Sequence, residues 1–187
     1  MIARYSTVSL FAAACLVVMA AGSTRALAAE EQEAGLCSGS TTKTLFGNSA
    51  QIRTLVKNAS SGNVFSVVIS RNGTEKESGT LNENNSQVGY IMSVGNPGNQ
   101  QIDVTAEITG HNSSVLPKDR RIYCNYKIQY DNNKNTATWS LPDGADSICS
   151  DSIAITCKDC KLSCATTYVG SNIDSRNRWT TVFTIHD

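Results

Sequence analysis

The sequence reads as an all-β protein: a single antiparallel β-sandwich, or a small barrel, closed by about three disulfides. Short runs rich in β-branched and aromatic residues recur along it, separated by polar turns. Two of those runs alternate strictly between apolar and polar positions, the period of a strand with one buried face. An even set of cysteines follows a leader that resembles an export signal, which implies a disulfide framework.

The leader is "MIARYSTVSLFAAACLVVMAAGSTRALAA". Arg4 precedes an apolar run from Val8 to Ala21, and a small-residue site follows at Ala26-Leu27-Ala28. This predicts a signal peptide over 1–28 and a secreted, extracellular mature chain of about 159 residues. The apolar run is shorter than the ~20 residues a spanning helix needs. Cys15 lies inside that run and leaves with it.

The chain carries 16 basic and 16 acidic residues, so loss of Arg4 and Arg25 leaves 14 against 16, a net charge of −2. The Lys and Arg residues are scattered, which speaks against nucleic acid as a partner.

Glu30 to Gly39 is polar and reads as part of an N-terminal arm, 29–44, pinned by Cys37; one β-domain is expected over 45–187. "QIRTLV" and "NVFSVVIS" read as strands. Asn72-Gly73 inside "RNGT" predicts a hairpin turn. "QVGYIMSV" runs into the turn "GNPGNQ". In "QIDVTAEIT", Ile102, Val104, Ala106 and Ile108 share a face, opposed by Asp103, Thr105 and Glu107. In "RIYCNYKIQY", Ile122, Cys124, Tyr126, Ile128 and Tyr130 share a face. "DNNKN" reverses the chain into "TATWSL", with Ala137, Trp139 and Leu141 together. The last run places Trp179, Thr181, Phe183 and Ile185 on one face.

The mature cysteines are Cys37, Cys124, Cys149, Cys157, Cys160 and Cys164. The stretch "TCKDCKLSC" admits three chemistries. Zinc needs four ligands in a familiar spacing, and Cys149 with the cluster does not supply one. A redox CxxC needs β-α-β context, which the chain lacks. The third reading is structural. Spacings of three and four place Cys157, Cys160 and Cys164 on one face of a short helix over 157–164. From there each would reach one of the distant cysteines, Cys37, Cys124 or Cys149. A hairpin turning at Lys158-Asp159 is the competing geometry; Lys-Asp suits a primed turn poorly.

No catalytic signature is present: there is no G-x-S-x-G elbow, H-E-x-x-H motif, calcium loop or phosphate loop. His111 and His186 read as solvated surface groups. No metal or cofactor is expected, and the protein reads as a non-enzyme. Sequons at Asn58, Asn72, Asn84 and Asn112 are candidate glycosylation sites in a eukaryotic source, although chance alone gives about as many in so Asn-, Ser- and Thr-rich a chain. Tyr90, Tyr123 and Tyr168 are candidates for an exposed binding platform.

These features point to a secreted, non-catalytic interaction protein that binds another protein outside the cell, such as an effector, surface antigen or inhibitor. A lectin-like, carbohydrate-binding sandwich is the alternative. A membrane-active β-protein is a third class, for which "YIMSVGNPG" is the one candidate insertion loop, and a membrane partner is the least expected of the three. Oligomeric state is not encoded in any motif.

Overall fold

A computed structural model describes residues 30–31, 35–37, 39–47, 49–95, 98–116, 118–143, 145, 148–151, 161–171 and 176–187. Every regular element among them is a strand. In chain order these are β1 (Glu30–Glu31), β2 (Gly35–Leu36), β3 (Ser40–Thr44), β4 (Ser49–Asn58), β5 (Val64–Arg71), β6 (Thr74–Leu81) and β7 (Ser86–Gly95). There follow β8 (Gln101–Asn112), β9 (Arg121–Asp131), β10 (Thr136–Ser140), β11 (Cys149–Asp151), β12 (Lys161–Ser171) and β13 (Arg176–His186).

The strands form two sheets that face each other as a sandwich. The first runs β1-β12-β13-β4-β7, with β2 also on β12; the second runs β3-β10-β9-β8-β5-β6, with β11 on β9. All pairs are antiparallel except β13 with β4, which run parallel from Arg178↔Gln51 to Ile185↔Asn58. Two separate sheets exclude the small barrel.

Alternation sets which side chains meet between the sheets. Ile102, Val104, Ala106 and Ile108 of β8 are buried, as are Ile122, Cys124, Tyr126, Ile128 and Tyr130 of β9 and Ala137 and Trp139 of β10. The first sheet answers with Ala50, Ile52 and Val56 of β4 and Trp179, Phe183 and Ile185 of β13. Tyr126 stacks on Trp139, ring centroids 5.8 Å apart, and meets Phe183 at 6.4 Å. Two polar pairs cross this core, while the Tyr130 hydroxyl and Trp179 Nε1 are buried with no hydrogen-bond partner among the described residues. The Thr54 and Tyr126 hydroxyls lie 2.7 Å apart, and Trp139 Nε1 donates to Thr181 Oγ1 at 3.1 Å. Burial favours the neutral phenol of Tyr126 and pushes its pKa up to about 12, against the lowering effect of its hydrogen bonds with Thr54 and Thr181.

The expected turn at Asn72-Gly73 joins β5 to β6, and both residues take positive φ (48° and 74°), as a primed turn requires. The segment 40–44, assigned from sequence to a loose arm, is instead edge strand β3. Its register on β10 is continuous from Thr44↔Thr136 to Ser40↔Ser140.

The helix expected over 157–164 is overturned where the chain can be described. Residues 161–164 open β12, which pairs with β13 through Lys161↔His186 and on to Ser171↔Arg176. "LSCATTYV" is rich in strand-favouring Thr, Tyr and Val. A strand repeat of two puts Leu162, Cys164 and Tyr168 on one face. Residues 157–160 lie outside the described residues.

The expected pairing is also corrected. Cys37 bridges Cys164 over 127 residues, which is one link from the cluster to a distant cysteine. Cys124, however, bridges Cys149 and not the cluster. The short strand β11 places Cys149 directly opposite Cys124, with Cα atoms 4.0 Å apart. Cys157 and Cys160 are outside the described residues.

Candidate functional site

The outward face of the first sheet differs in its composition from that of the second. Register stacks its outward positions in rows. One row is Ala165–Val182–Leu55–Gly89 and the next is Thr167–Thr180–Arg53–Ile91. Flanking them are Val169–Arg178–Gln51–Ser93 on one side and Ser163–Thr184–Lys57–Gln87 on the other. Ile91 is 58 % exposed, the only large hydrophobic side chain so exposed among the described residues. Beside it Leu55 lies flat at 8 % exposure. It can do so because position 89 is glycine: a Cβ there would sit 2.3 Å from Leu55 Cδ2.

The charge carried by the four longer strands of this sheet has one sign. β4, β7, β12 and β13 carry Arg53, Lys57, Lys161, Arg176 and Arg178, and no Asp or Glu. The sheet's only carboxylate residues, Glu30 and Glu31, belong to β1 at the far edge. Among the described residues, no salt bridge engages Arg53, Lys57 or Arg178. Arg178 Nε donates to Gln51 Oε1 at 3.1 Å. Arg53 Nε is buried and makes no hydrogen bond. Arg53 and Lys57 stand four residues apart on one strand, about 13 Å.

The second sheet contrasts with this. It carries both signs and pairs them: Arg121 with Glu107 at 3.0 Å, Lys134 with Asp131 at 3.4 Å, and Lys127 with Asp143.

A hollow of about 320 Å³ lies where the loop before β8 meets the β9–β10 turn, lined by Asn99, Gln100, Gln101, Gln129, Tyr130, Asp131 and Asn133. Much of its hydrogen-bonding capacity serves the chain itself. Asn99 Oδ1 accepts from Asn132 N at 2.7 Å, and Gln101 Nε2 donates to Asp103 Oδ1 at 3.0 Å. Asp131 Oδ1 accepts from the Asn133 and Lys134 amides at 3.0 and 3.1 Å. The Lys134 amide is the leading cause that holds the Asp131 carboxyl below its ordinary pKa.

The three tyrosines singled out from sequence do not form one platform. Tyr90 shares the inward face of β7 with Met92 and packs against the core. Tyr123 is half-buried on the outward face of β9, in the other sheet. Tyr168 is 7 % exposed, and its hydroxyl lies 2.9 Å from both the Thr44 carbonyl and Asn177 Oδ1. Burial pushes its pKa up to about 12. Each aromatic follows its strand's alternation, which sequence position near a turn does not reveal.

Asn72, Asn84 and Asn112 are exposed. Asn58 is fully buried, and its side chain binds its own loop. His111 is exposed, with Nδ1 3.5 Å from Ser66 Oγ; His186 Nε2 lies 2.7 Å from Ser163 Oγ on the outward face of the first sheet. Of "YIMSVGNPG", residues 90–95 belong to strand β7, with Met92 and Val94 buried and Ile91 and Ser93 turned outward; 96–97 lie outside the described residues. No group of three or more His, Cys, Asp or Glu that could hold a metal occurs among the described residues.

Sequence reasoning passed over Arg53, Lys57, Arg178 and Ile91. The signal was present in "QIRTLVKN", where Arg53 and Lys57 alternate with Ile52 and Val56. What the sequence hides is the parallel pairing that brings this strand beside β13. Comparison with known protein families, curated proteins and solved structures finds no match.

Proposed function

We propose that this is a secreted, non-catalytic interaction protein that binds another extracellular protein through the outward face of the β12-β13-β4-β7 sheet. The observation that carries the reading is the pairing of Ile91, exposed, with Arg53, uncompensated, on neighbouring strands of a face whose strands β4, β7, β12 and β13 carry no Asp or Glu. Protein interfaces are built this way, with an apolar centre enriched in Arg. The charge calls for a partner whose contact surface is acidic. The two disulfides suit an oxidising compartment, and no described helix is long and apolar enough to cross a membrane.

The immobilised, oxidised protein should capture a discrete protein with an acidic surface from the fluid into which it is exported. Glycan binding is the second reading, favoured by the amide-lined hollow beside Gln129. A glycan array separates the two. Glycans bound with no protein captured, and binding lost on Gln129→Ala, would replace the first reading with the second.

A further inference from the structure

We infer that the partner engages by adding an extended, acidic segment as a further strand on the open edge of β7. This rests on the reading of the same face as the binding surface, and it specifies the partner's geometry and charge.

The two sheets expose several edges, and all but one are blunted. β6 carries Glu75, Lys76 and Glu77 and shifts register against β5 at Ile69/Ser70. β3 is five residues long with Lys43 in it. On the outer side of β12 lie only β1 and β2, of two residues each. Charge, irregularity and shortness are the devices by which natural sheets discourage edge pairing.

β7 has none of them. It is ten residues long, contains no charge and no proline, and holds unbroken register with β4 from Ser49↔Gly95 to Asn58↔Ser86. No described strand pairs with its other side. β6 approaches it where Gly79 lies against Val88. The stretch from Gly89 to Val94 has no described strand paired with it on that side, and Ile91 stands outward at its middle. In an antiparallel pair alternate residues direct N–H and C=O away from the neighbour, so this stretch offers a ready template for strand addition.

Charge decides the occupant. An added strand would lie about 4.8 Å beyond β7 and so about 9.6 Å from β4, within the combined reach of Arg53 and a Glu or Asp on that strand. A second copy would bring another uncharged β7 and another set of uncompensated cations. An acidic segment with carboxylates at alternate positions answers Arg53 directly and leaves Ile91 to meet an apolar side chain from the same strand.

The probe is a phage-displayed library of random octapeptides, selected on the oxidised protein. Enriched peptides should carry Asp or Glu at alternate positions. A synthetic peptide from the selection should slow amide exchange in β7 at least tenfold, and Arg53→Glu should weaken its binding at least tenfold. Absence of enrichment, enrichment of basic or neutral peptides, or exchange protection away from β7 would overturn the inference. So would sedimentation that shows self-association abolished by Ile91→Lys, which would make the occupant a second copy. Capture of an extracellular protein that Ile91→Arg abolishes, with β7 amides unprotected in the complex, overturns strand addition while the face remains the binding surface. Capture of no partner at all removes the face reading itself.

Discussion

Asn58 sits at the end of β4 with no exposed surface, although its sequence context is that of a glycan acceptor. Its Nδ2 donates to the Asn63 carbonyl at 2.7 Å and the Asn82 carbonyl at 3.1 Å. Its Oδ1 accepts from Ser60 N at 3.0 Å and Ser60 Oγ at 2.6 Å. One amide therefore ties together the loop after β4 and the loop after β6. Asn58→Ala leaves at least three of these partners in a buried setting without it. At ~1–3 kcal/mol for each unsatisfied group, the loss should be about 3–9 kcal/mol. That is a large part of the ~5–15 kcal/mol by which a domain is stable. For a chain of this size it corresponds to a fall in Tm of at least about 6 °C. Asn58→Asp should be at least as damaging, because a carboxylate oxygen would then face two carbonyls. Thermal melts followed by circular dichroism measure both. A glycan on Asn58 would have to occupy the buried Nδ2, so peptide mapping after expression in a glycosylating host should find this site bare. An Asn58→Ala melt within about 3 °C of the unaltered protein would refute the reasoning, as would a glycan on Asn58 in the folded protein.

Three further outcomes follow from the fold. Tyr126 has its pKa raised to about 12, so the fold favours its neutral form; its contribution should be intact below pH ~10 and diminish by about 2–3 kcal/mol as pH rises to about 12. Denaturant titrations at pH 9, 10.5 and 12 read this directly, and Tyr126→Phe should flatten the decline. A thiol assay on denatured, unreduced protein should find none. Cys37–Cys164 and Cys124–Cys149 leave Cys157 and Cys160 as each other's remaining partner in the mature chain. Titration of two thiols, or bound zinc, would contradict that count. Gly89→Val should dislodge Leu55 from its seat and cost about 1–3 kcal/mol, visible as a lower denaturation midpoint and shifted Leu55 methyl resonances.

The strands easiest to read from sequence are those with one wet face. β8, β9, β10 and β13 alternate cleanly, and their inward residues are the buried ones. β6 escaped notice because an edge strand with Thr74, Glu75, Lys76 and Glu77 buries almost nothing and so shows no apolar period. β12 was misread in part because Cys157, Cys160 and Cys164 suggested a helical face, while Tyr168 and its pairing with Trp179 depend on a hairpin partner further along. Pairing between distant segments is the information least local to the sequence. The parallel match of β4 with β13 spans more than a hundred residues, and it alone assembles Arg53, Val182 and Arg178 on one surface. Asn58 and Asn177 look like turn residues in a chain with 16 asparagines. Their burial follows from the loops that close over them: Asn177 Nδ2 donates to the Phe46 and Ser49 carbonyls at 2.8 and 2.6 Å.

The central claim is that binding resides on the outward face of β4, β7 and β13. Its most direct test is the affinity of the captured partner for three charge variants compared with the unaltered protein. Arg53→Glu and Ile91→Arg should each weaken binding by tenfold or more with unchanged melting temperature, on the order of 1.4 kcal/mol or above, while Lys134→Glu in the β9–β10 turn should leave it unchanged. Equal affinity for all three, or loss confined to Lys134→Glu, would place the binding surface elsewhere and contradict the account.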